Sequence, residues 1–486
     1  MNRCVASTPN WHIIQHYGII YDWYPTNPRI KMFKVINKTL SAYIKNIAQA
    51  FNSEPTNQGI VKSGIGNLLI NIVNKFIVLI SGVLLVRILG KDGYGIYSYI
   101  LSLIYVLIIP AEFGISTLIV RNTAQGIAEK KFGLINGVWR WSLWVTLLLY
   151  VIVVGLSVVI VMWGPQNFDP SVLTTFFWSL CLIPFQAIIL LISAALRGMK
   201  RIILGQLPDL IILPGFFIVL LLIVYLVSPS SITTSSSMAL RSISAMIAFI
   251  CSIIFFLKVT PKAILKTQPT YQRRHWFSSA LPLGLSSGLG MVKSRITILL
   301  LGFFVSANQI GTFQIAISTA ALAAIVLHAN DATLAPQFAS LYIQEKKQAL
   351  QQLVTLNSRV VFAFNLMITL VFVIFGKALL AFVFGPELIE AYPSVLIMLA
   401  GQLINSLVGS VVYLLNMTGN ENDVMKVIGL SSIVNVVITL ILSPFWGIIG
   451  GAISITVSLI IAQIIMSTLV RKRLGIVSHA FHKLST

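Results

Sequence analysis

The stretch VRILGKDGYGIYSYI, Val86 to Ile100, decides the fold. Before it runs NLLINIVNKFIVLISGVLL, and after it LSLIYVLIIPAEFGISTLIV. Each flanking run is long enough to cross about 30 Å of hydrocarbon. Arg87, Lys91, Asp92 and three glycines therefore mark a turn between two membrane spans.

Such runs continue along nearly the whole chain. It has 486 residues, 57% of them hydrophobic and only 10% charged, whereas a soluble domain carries about a quarter charged residues. The expected fold class is an all-α polytopic membrane protein of about twelve transmembrane helices. They are expected at 67–86, 94–120, 141–163, 173–193, 203–227, 238–257, 277–301, 310–330, 358–382, 391–417, 425–443 and 447–470.

The charges test that alternation. There are 34 Lys and Arg against 13 Asp and Glu. In a soluble protein this excess would point to nucleic acid; in a membrane protein it sets orientation, because basic loops stay cytoplasmic. All but seven of the basic residues fall in segments assigned to one side. Arg87, Lys91 and Lys377 fall on the other side, and Lys75, Arg241, Lys293 and Arg295 lie within spans. An even span number puts both termini in the cytoplasm. Fourteen spans would fit the count as well.

The expected organisation is a basic, polar N-terminal segment over 1–66, a first six-helix bundle over 67–257, a basic cytoplasmic linker over 258–276, a second bundle over 277–470 and a cytoplasmic tail over 471–486. The N-terminal segment has no apolar signal region. It reads as partly disordered, with Met32 an alternative start and Phe33 to Phe51 mildly amphipathic. The cysteines Cys4, Cys181 and Cys251 make no metal or disulfide spacing. Trp139, Trp141, Trp163 and Trp446 fall near span ends, where aromatic belts form.

The opening stretch has a faint copy, LLLGFFVSANQIGTFQIAI. Aligning Gly95 with Gly311 gives a Gly-bearing turn, an aromatic two residues later, and a following span in both places. Glu112 falls 17 residues after Gly95 and His328 17 after Gly311. Repeats of this kind mark transporters, with the ligand site between them. Six spans per repeat give both halves the same topology, so the pseudo-twofold axis runs along the membrane normal.

LLVRILGKDGYGIYSYILSLIYVLIIPAEFGISTLIVRNTA resembles the opening of the Wzx-type polysaccharide flippases, which transport O-antigen or exopolysaccharide units. They belong to the multidrug/oligosaccharidyl-lipid/polysaccharide exporter superfamily. The resemblance rests on Arg87 to Gly90, Asp92, the Tyr94-Gly95-Ile96-Tyr97 step, Glu112 to Gly114, and Arg121. Glu112 stands where Asp is common. The resemblance implies two bundles facing a central cavity. The expected substrate is an undecaprenyl-diphosphate-linked oligosaccharide, moved from the inner to the outer leaflet of the bacterial inner membrane by alternating access. The expected partners are that lipid-linked substrate, membrane lipids, and a polysaccharide polymerase with chain-length proteins. No nucleic acid, cofactor or metal is expected.

Buried charges give the candidate site. A cation near mid-span costs about 2.5–3.5 kcal/mol on insertion scales, so Lys75 needs an offset: an anionic substrate in a cavity, or a structural pair with Glu112. Lys293 and Arg295 are two apart, about 200° on a helix, so both cannot face one cavity squarely. Lys75, Lys293 and Arg295 are the cationic cavity candidates. Glu112, Asp209, His328 and Asp331 are candidates for ion coupling, each with a bland alternative in a local pair or a span end. Arg87, Gly90, Gly95, Gly114 and Arg121 carry the motif and topology. The linker cations Lys258, Lys262, Lys266, Arg273 and Arg274 read mainly as topology and a flexible connection. Short outer loops and the absence of a Ser-His-Asp, zinc or phosphate-loop pattern argue against an enzyme. The remaining alternatives are a drug or metabolite exporter, whose cavity should be acidic, and a lipid II flippase, for which two further C-terminal spans would be expected.

Overall fold

The computed structural model describes residues 55–112, 114–163 and 169–482. The N-terminal segment up to residue 54, with Met32 and Phe33 to Phe51, lies outside the described residues. Residues Ser63–Thr486 form one compact unit.

Every regular element among the described residues is helical. In chain order they are α1 (Pro55–Glu112), α2 (Ile115–Ala128), α3 (Phe132–Trp163), α4 (Pro170–Leu180), α5 (Leu182–Gly198), α6 (Ile202–Leu207), a π-turn (Pro208–Ile212), α7 (Leu213–Val227), α8 (Thr234–Val259) and the short α9 (Lys262–Lys266). Then come α10 (Arg273–Leu301), α11 (Ala307–Ile343), α12 (Lys347–Phe384), a 3₁₀ turn (Pro386–Ala391), α13 (Tyr392–Val408), α14 (Val411–Met417) and α15 (Glu421–Leu474).

Among the described residues, eight helical stretches are long and apolar enough to cross a membrane. Two of them, Leu69–Pro110 and Glu421–Leu474, each cover two of the expected spans. The chain turns within them at single glycines: Gly90 at φ 70°, ψ 179° and Gly447 at φ 50°, ψ −127°. That left-handed region is open to glycine and strained for other residues. The expected spans at 277–301 and 310–330 fall on α10 and α11. α10 carries GLSSGLG with Lys293 and Arg295, which dilutes its hydropathy.

Local chemistry sets the helix starts. Asp169 caps α4, accepting from the Ser171 N–H at 2.8 Å. Thr233 and Ser236 form a reciprocal capping box before α8, satisfying two otherwise orphaned donors. Helices α2–α8 pack on one another, and α10–α15 do likewise. The two groups meet where α2 packs on α10, with the Gly114 backbone against Gly284.

A continuous apolar core joins the two groups at the end bearing Arg87. It contains Leu85, Tyr94, Tyr97 and Phe217 from the first and Leu301, Ile310, Phe313 and Leu388 from the second. Burial of each such side chain contributes roughly 1.5–3 kcal/mol. A second core, with Leu334, Phe338, Val411 and Met466, lies within the second group.

Candidate functional site

At the joint between the two groups lies a cavity of about 330 Å³. Its wall combines α1 (Lys75, Tyr94, Tyr97, Tyr105), the π-turn (Asp209), α8 (Arg241), α10 (Arg295) and α11 (Gln314, Ser318). Lys75 also lines a neighbouring cavity of about 170 Å³ with Gln402 and Thr456, so it stands between two chambers.

The helix periods explain which cation faces where. Lys293 and Thr297 are one turn apart on α10 and meet Ser431 and Asn435, one turn apart on α15. Lys293 Nζ donates to Ser431 Oγ at 2.6 Å, and Thr297 Oγ1 to Asn435 Oδ1 at 2.9 Å. Thr439 continues the seam, its hydroxyl donating to Ser454 Oγ at 2.7 Å. Arg295, rotated to the other side of the helix, stacks over the Tyr105 ring at 4.8 Å and lines the cavity. Lys293 is not among the residues of that wall.

Arg241 is the residue that sequence reasoning did not single out. Its presence within a span was visible, but its partners were not. Nη1 donates to the Tyr97 hydroxyl at 3.3 Å and Nη2 to the Tyr105 hydroxyl at 3.1 Å. The guanidinium also lies over the Phe217 ring at 5.6 Å. Its Nε has no hydrogen-bond partner among the described residues. Tyr105 is thus held by an arginine from each group: Arg241 at its hydroxyl and Arg295 on its ring face.

Against these three cations the wall carries one acid. Asp209 sits in the π-turn that Pro208 and Pro214 impose between α6 and α7. Such turns expose backbone groups, and the Leu210 carbonyl accepts from Asn74 Nδ2 at 2.6 Å. Asp209 accepts from Gln186 Nε2 at 2.5 Å. Among the described residues, the ion pairs are Lys91–Glu390, Lys131–Glu129 and Arg473–Asp423. None involves Lys75, Arg241, Lys293 or Arg295, and Lys75 is not paired with Glu112.

The other expected residues are dispersed. Glu112 ends α1 and lies near Arg197. Asp331 is 3% exposed on α11, and its Oδ1 has no partner among the described residues. The side chain of His328 lies outside the described residues. Arg121 is exposed on α2. The motif residues of the first turn reach across to the second group. Arg87 donates to the Phe382 and Val383 carbonyls at 2.6 and 3.1 Å, and Lys91 pairs with Glu390 at 3.3 Å. Gly95 packs its backbone against Ala307 and Gly311.

A family model described as "Polysaccharide biosynthesis protein" matches residues 60–341. No curated protein matches the chain in sequence. Among solved structures, the chain is similar to an inward-facing multidrug resistance MATE family transporter of the MOP superfamily. That likeness has a TM-score of 0.67 and 15% identity, and covers 85% of this chain and 98% of the other. It is also similar to a Pyrococcus furiosus MOP superfamily transporter described by the reverse polarity of its binding pocket, with a TM-score of 0.60 and 15% identity over 88% and 97% of the two chains. A mutant Vibrio cholerae MATE transporter matches with a TM-score of 0.53 and 18% identity over 90% and 99%. The fold is the one these membrane transporters share. With the family model matched over more than half of the chain, this multi-pass membrane protein belongs to the polysaccharide biosynthesis protein family.

Proposed function

We propose that this transporter flips an undecaprenyl-diphosphate-linked oligosaccharide, an O-antigen or exopolysaccharide unit, across the bacterial inner membrane, with both termini in the cytoplasm. The observation that carries the reading is the charge of the cavity: Lys75, Arg241 and Arg295 against Asp209 alone. A diphosphate entering low dielectric needs compensating charge. An arginine fork grips phosphate through parallel hydrogen bonds, and a lysine supplies a point charge. The unpartnered Nε of Arg241 is a donor that an anion would satisfy.

The same geometry supports an alternating-access cycle. The cavity wall belongs mainly to the first group, and Arg295, Gln314 and Ser318 come from the second. An anion held by Arg241 and Arg295 together couples binding to the approach of the two groups. At the end bearing Arg87 the groups are packed through Gly95, Gly311 and the Lys91–Glu390 pair. In this reading that end is the periplasmic one and is closed. A drug exporter for cationic compounds would place acids here, and the wall offers one.

The deciding experiment is the double variant Lys75→Ala/Arg295→Ala, with surface polysaccharide and membrane protein abundance measured together. Loss of polysaccharide at normal abundance is expected. Normal polysaccharide would overturn the cationic-cavity mechanism, and loss of the protein would assign these residues to folding.

A further inference from the structure

The linker between the two groups carries Lys258, Lys262, Lys266, Arg273 and Arg274. Orientation alone would account for the charge of a loose connection, but the structure builds this segment as a fixed part. Residues Lys262–Lys266 form α9, with Ile264 buried and both lysines exposed. The segment after it is tied to the start of α3. The Thr270 N–H donates to the Gly133 carbonyl at 2.9 Å, and Asn136 Nδ2 donates to the Thr267 carbonyl at 2.7 Å.

Beneath α9 runs a groove of about 500 Å³ between α3, α5 and α8, and Leu265 closes one end of it. This volume is in the range of small-ligand sites. Its walls are hydrocarbon, with Leu147, Ile192, Phe249 and Ile253 among them. Polar lining groups occur only at the α9 end, on Asn136, Trp139 and Arg140. There the parts are held. Arg140 Nε donates to Asn136 Oδ1 at 3.1 Å, which aims the guanidinium and leaves its two terminal nitrogens without partners among the described residues. Trp139 donates to Thr123 Oγ1 at 2.9 Å and meets Phe256 edge-on at 5.1 Å.

The surfaces on both sides of the groove are exposed and apolar: Trp144 and Leu148 on α3, Ile250 and Ile254 on α8. The groove therefore opens on the lipid along its apolar flanks. The charged residues that line or rim it are all basic. From Arg140 to Leu147 it runs about 10 Å along α3, enough for part of one acyl chain and far short of a polyprenyl tail.

We propose that this groove binds one anionic phospholipid of the surrounding bilayer, its acyl chain between α3, α5 and α8 and its phosphate on the Arg140 fork, with Lys262 and Lys266 at the rim. The proposal is independent of the cargo of the central cavity. Anionic lipid surfaces attract basic segments; here a pre-aimed guanidinium beside a chain-sized slot adds a defined place.

The test is native mass spectrometry of the purified full-length chain, titrated with phosphatidylglycerol or chain-matched phosphatidylcholine. One phosphatidylglycerol is expected to bind with several-fold preference. Arg140→Gln should bring its occupancy to the phosphatidylcholine level. Leu147→Trp, which fills the groove, should remove the bound lipid even with Arg140 present. Both variants are first checked for unchanged helix content and monodisperse elution. Lys262→Gln/Lys266→Gln, on the exposed rim, provides a variant that leaves the interior untouched and should weaken the preference partly. Equal occupancy by the two lipids overturns the proposal, as does a preference surviving both Arg140→Gln and Leu147→Trp. Displacement of phosphatidylglycerol by a polyprenyl phosphate in an Arg140-dependent way overturns the assigned occupant. Equal stabilisation by inorganic phosphate alone overturns the acyl-chain half.

Discussion

Gly95 and Gly311 meet through their backbones, and the contact is reciprocal. A methyl group on Gly95 would collide with the Ala307 carbonyl, and one on Gly311 with the Lys91 carbonyl. Lys91 and Ala307 each lie four residues before their own glycine. Two aligned positions of a repeat that touch each other's equivalent neighbours are in the relation expected beside a twofold axis, where residue i contacts j and j contacts i. Overpacking of such a joint costs about 1–3 kcal/mol. Gly95→Ala and Gly311→Ala should each lower thermal stability in lipid by that order. Gly155→Ala is the control, because nothing lies within 4 Å of an added Cβ there; it should be neutral or slightly stabilising.

The Lys91–Glu390 pair tests whether this end opens during transport. Glu390 is 69% exposed, so the pair contributes only about 0.2–1 kcal/mol and charge reversal should barely move stability. A covalent tie should do more. With Cys4, Cys181 and Cys251 replaced by serine, Lys91→Cys and Glu390→Cys joined by a short dithiol-reactive reagent are expected to stop transport, and each single cysteine to leave it running. Undiminished flux in the tied protein would show that the two groups stay together at this end.

Two lysines in apolar spans should behave differently. Lys75→Met is expected to keep abundance and lose transport, since no carboxylate among the described residues holds this side chain. Lys293→Met breaks the seam to Ser431 and should reduce stability by about 0.5–1.5 kcal/mol, with transport per molecule retained. Immunoblotting beside polysaccharide quantification separates the two outcomes.

Tyr105 separates the two arginines. Tyr105→Phe removes one of the two hydroxyl acceptors of Arg241 and keeps the ring under Arg295; Tyr105→Ala removes both the hydroxyl and the ring. Graded loss is expected, with the alanine variant the more severe by an added stacking contribution of about 0.5–2 kcal/mol. Equal defects in polysaccharide export would mean that only the hydroxyl matters.

Asp331 presents a buried carboxylate oxygen with no partner among the described residues. Leaving such a group unsatisfied costs about 1–3 kcal/mol. Asp331→Asn is therefore expected to raise thermal stability. A fall would instead mean that the site is normally filled by a cation or proton.

The helices were legible because repeated runs of eighteen or more apolar residues have no place in a soluble core and suit a bilayer. Their boundaries were less so at Gly90 and Gly447, where one residue turns the chain with helix on both sides. Lys75 and Arg295 stood out as charges in apolar surroundings. The 200° between Lys293 and Arg295 said that they diverge, but which one met the cavity depended on Ser431 and Asn435, far along the chain. Arg241 was equally visible, yet its hydroxyl partners lie 144 and 136 residues away. Spacing along one helix cannot supply such neighbours. The linker reading missed α9, because KAILK is too short to carry a helical pattern.

The pinning of that linker restricts how the two helix groups can move. Thr270 is fastened to Gly133 and α10 begins at Arg273 with Gln272 as its N-cap, so Tyr271 and Gln272 alone join the two fixed points, spanning about 7 Å at full stretch. A tether this short forbids sliding and leaves pivoting about a corner. Inserting four glycines after Tyr271 should release that constraint and slow turnover without changing the cavity, an outcome that flux assays on the lengthened chain can check.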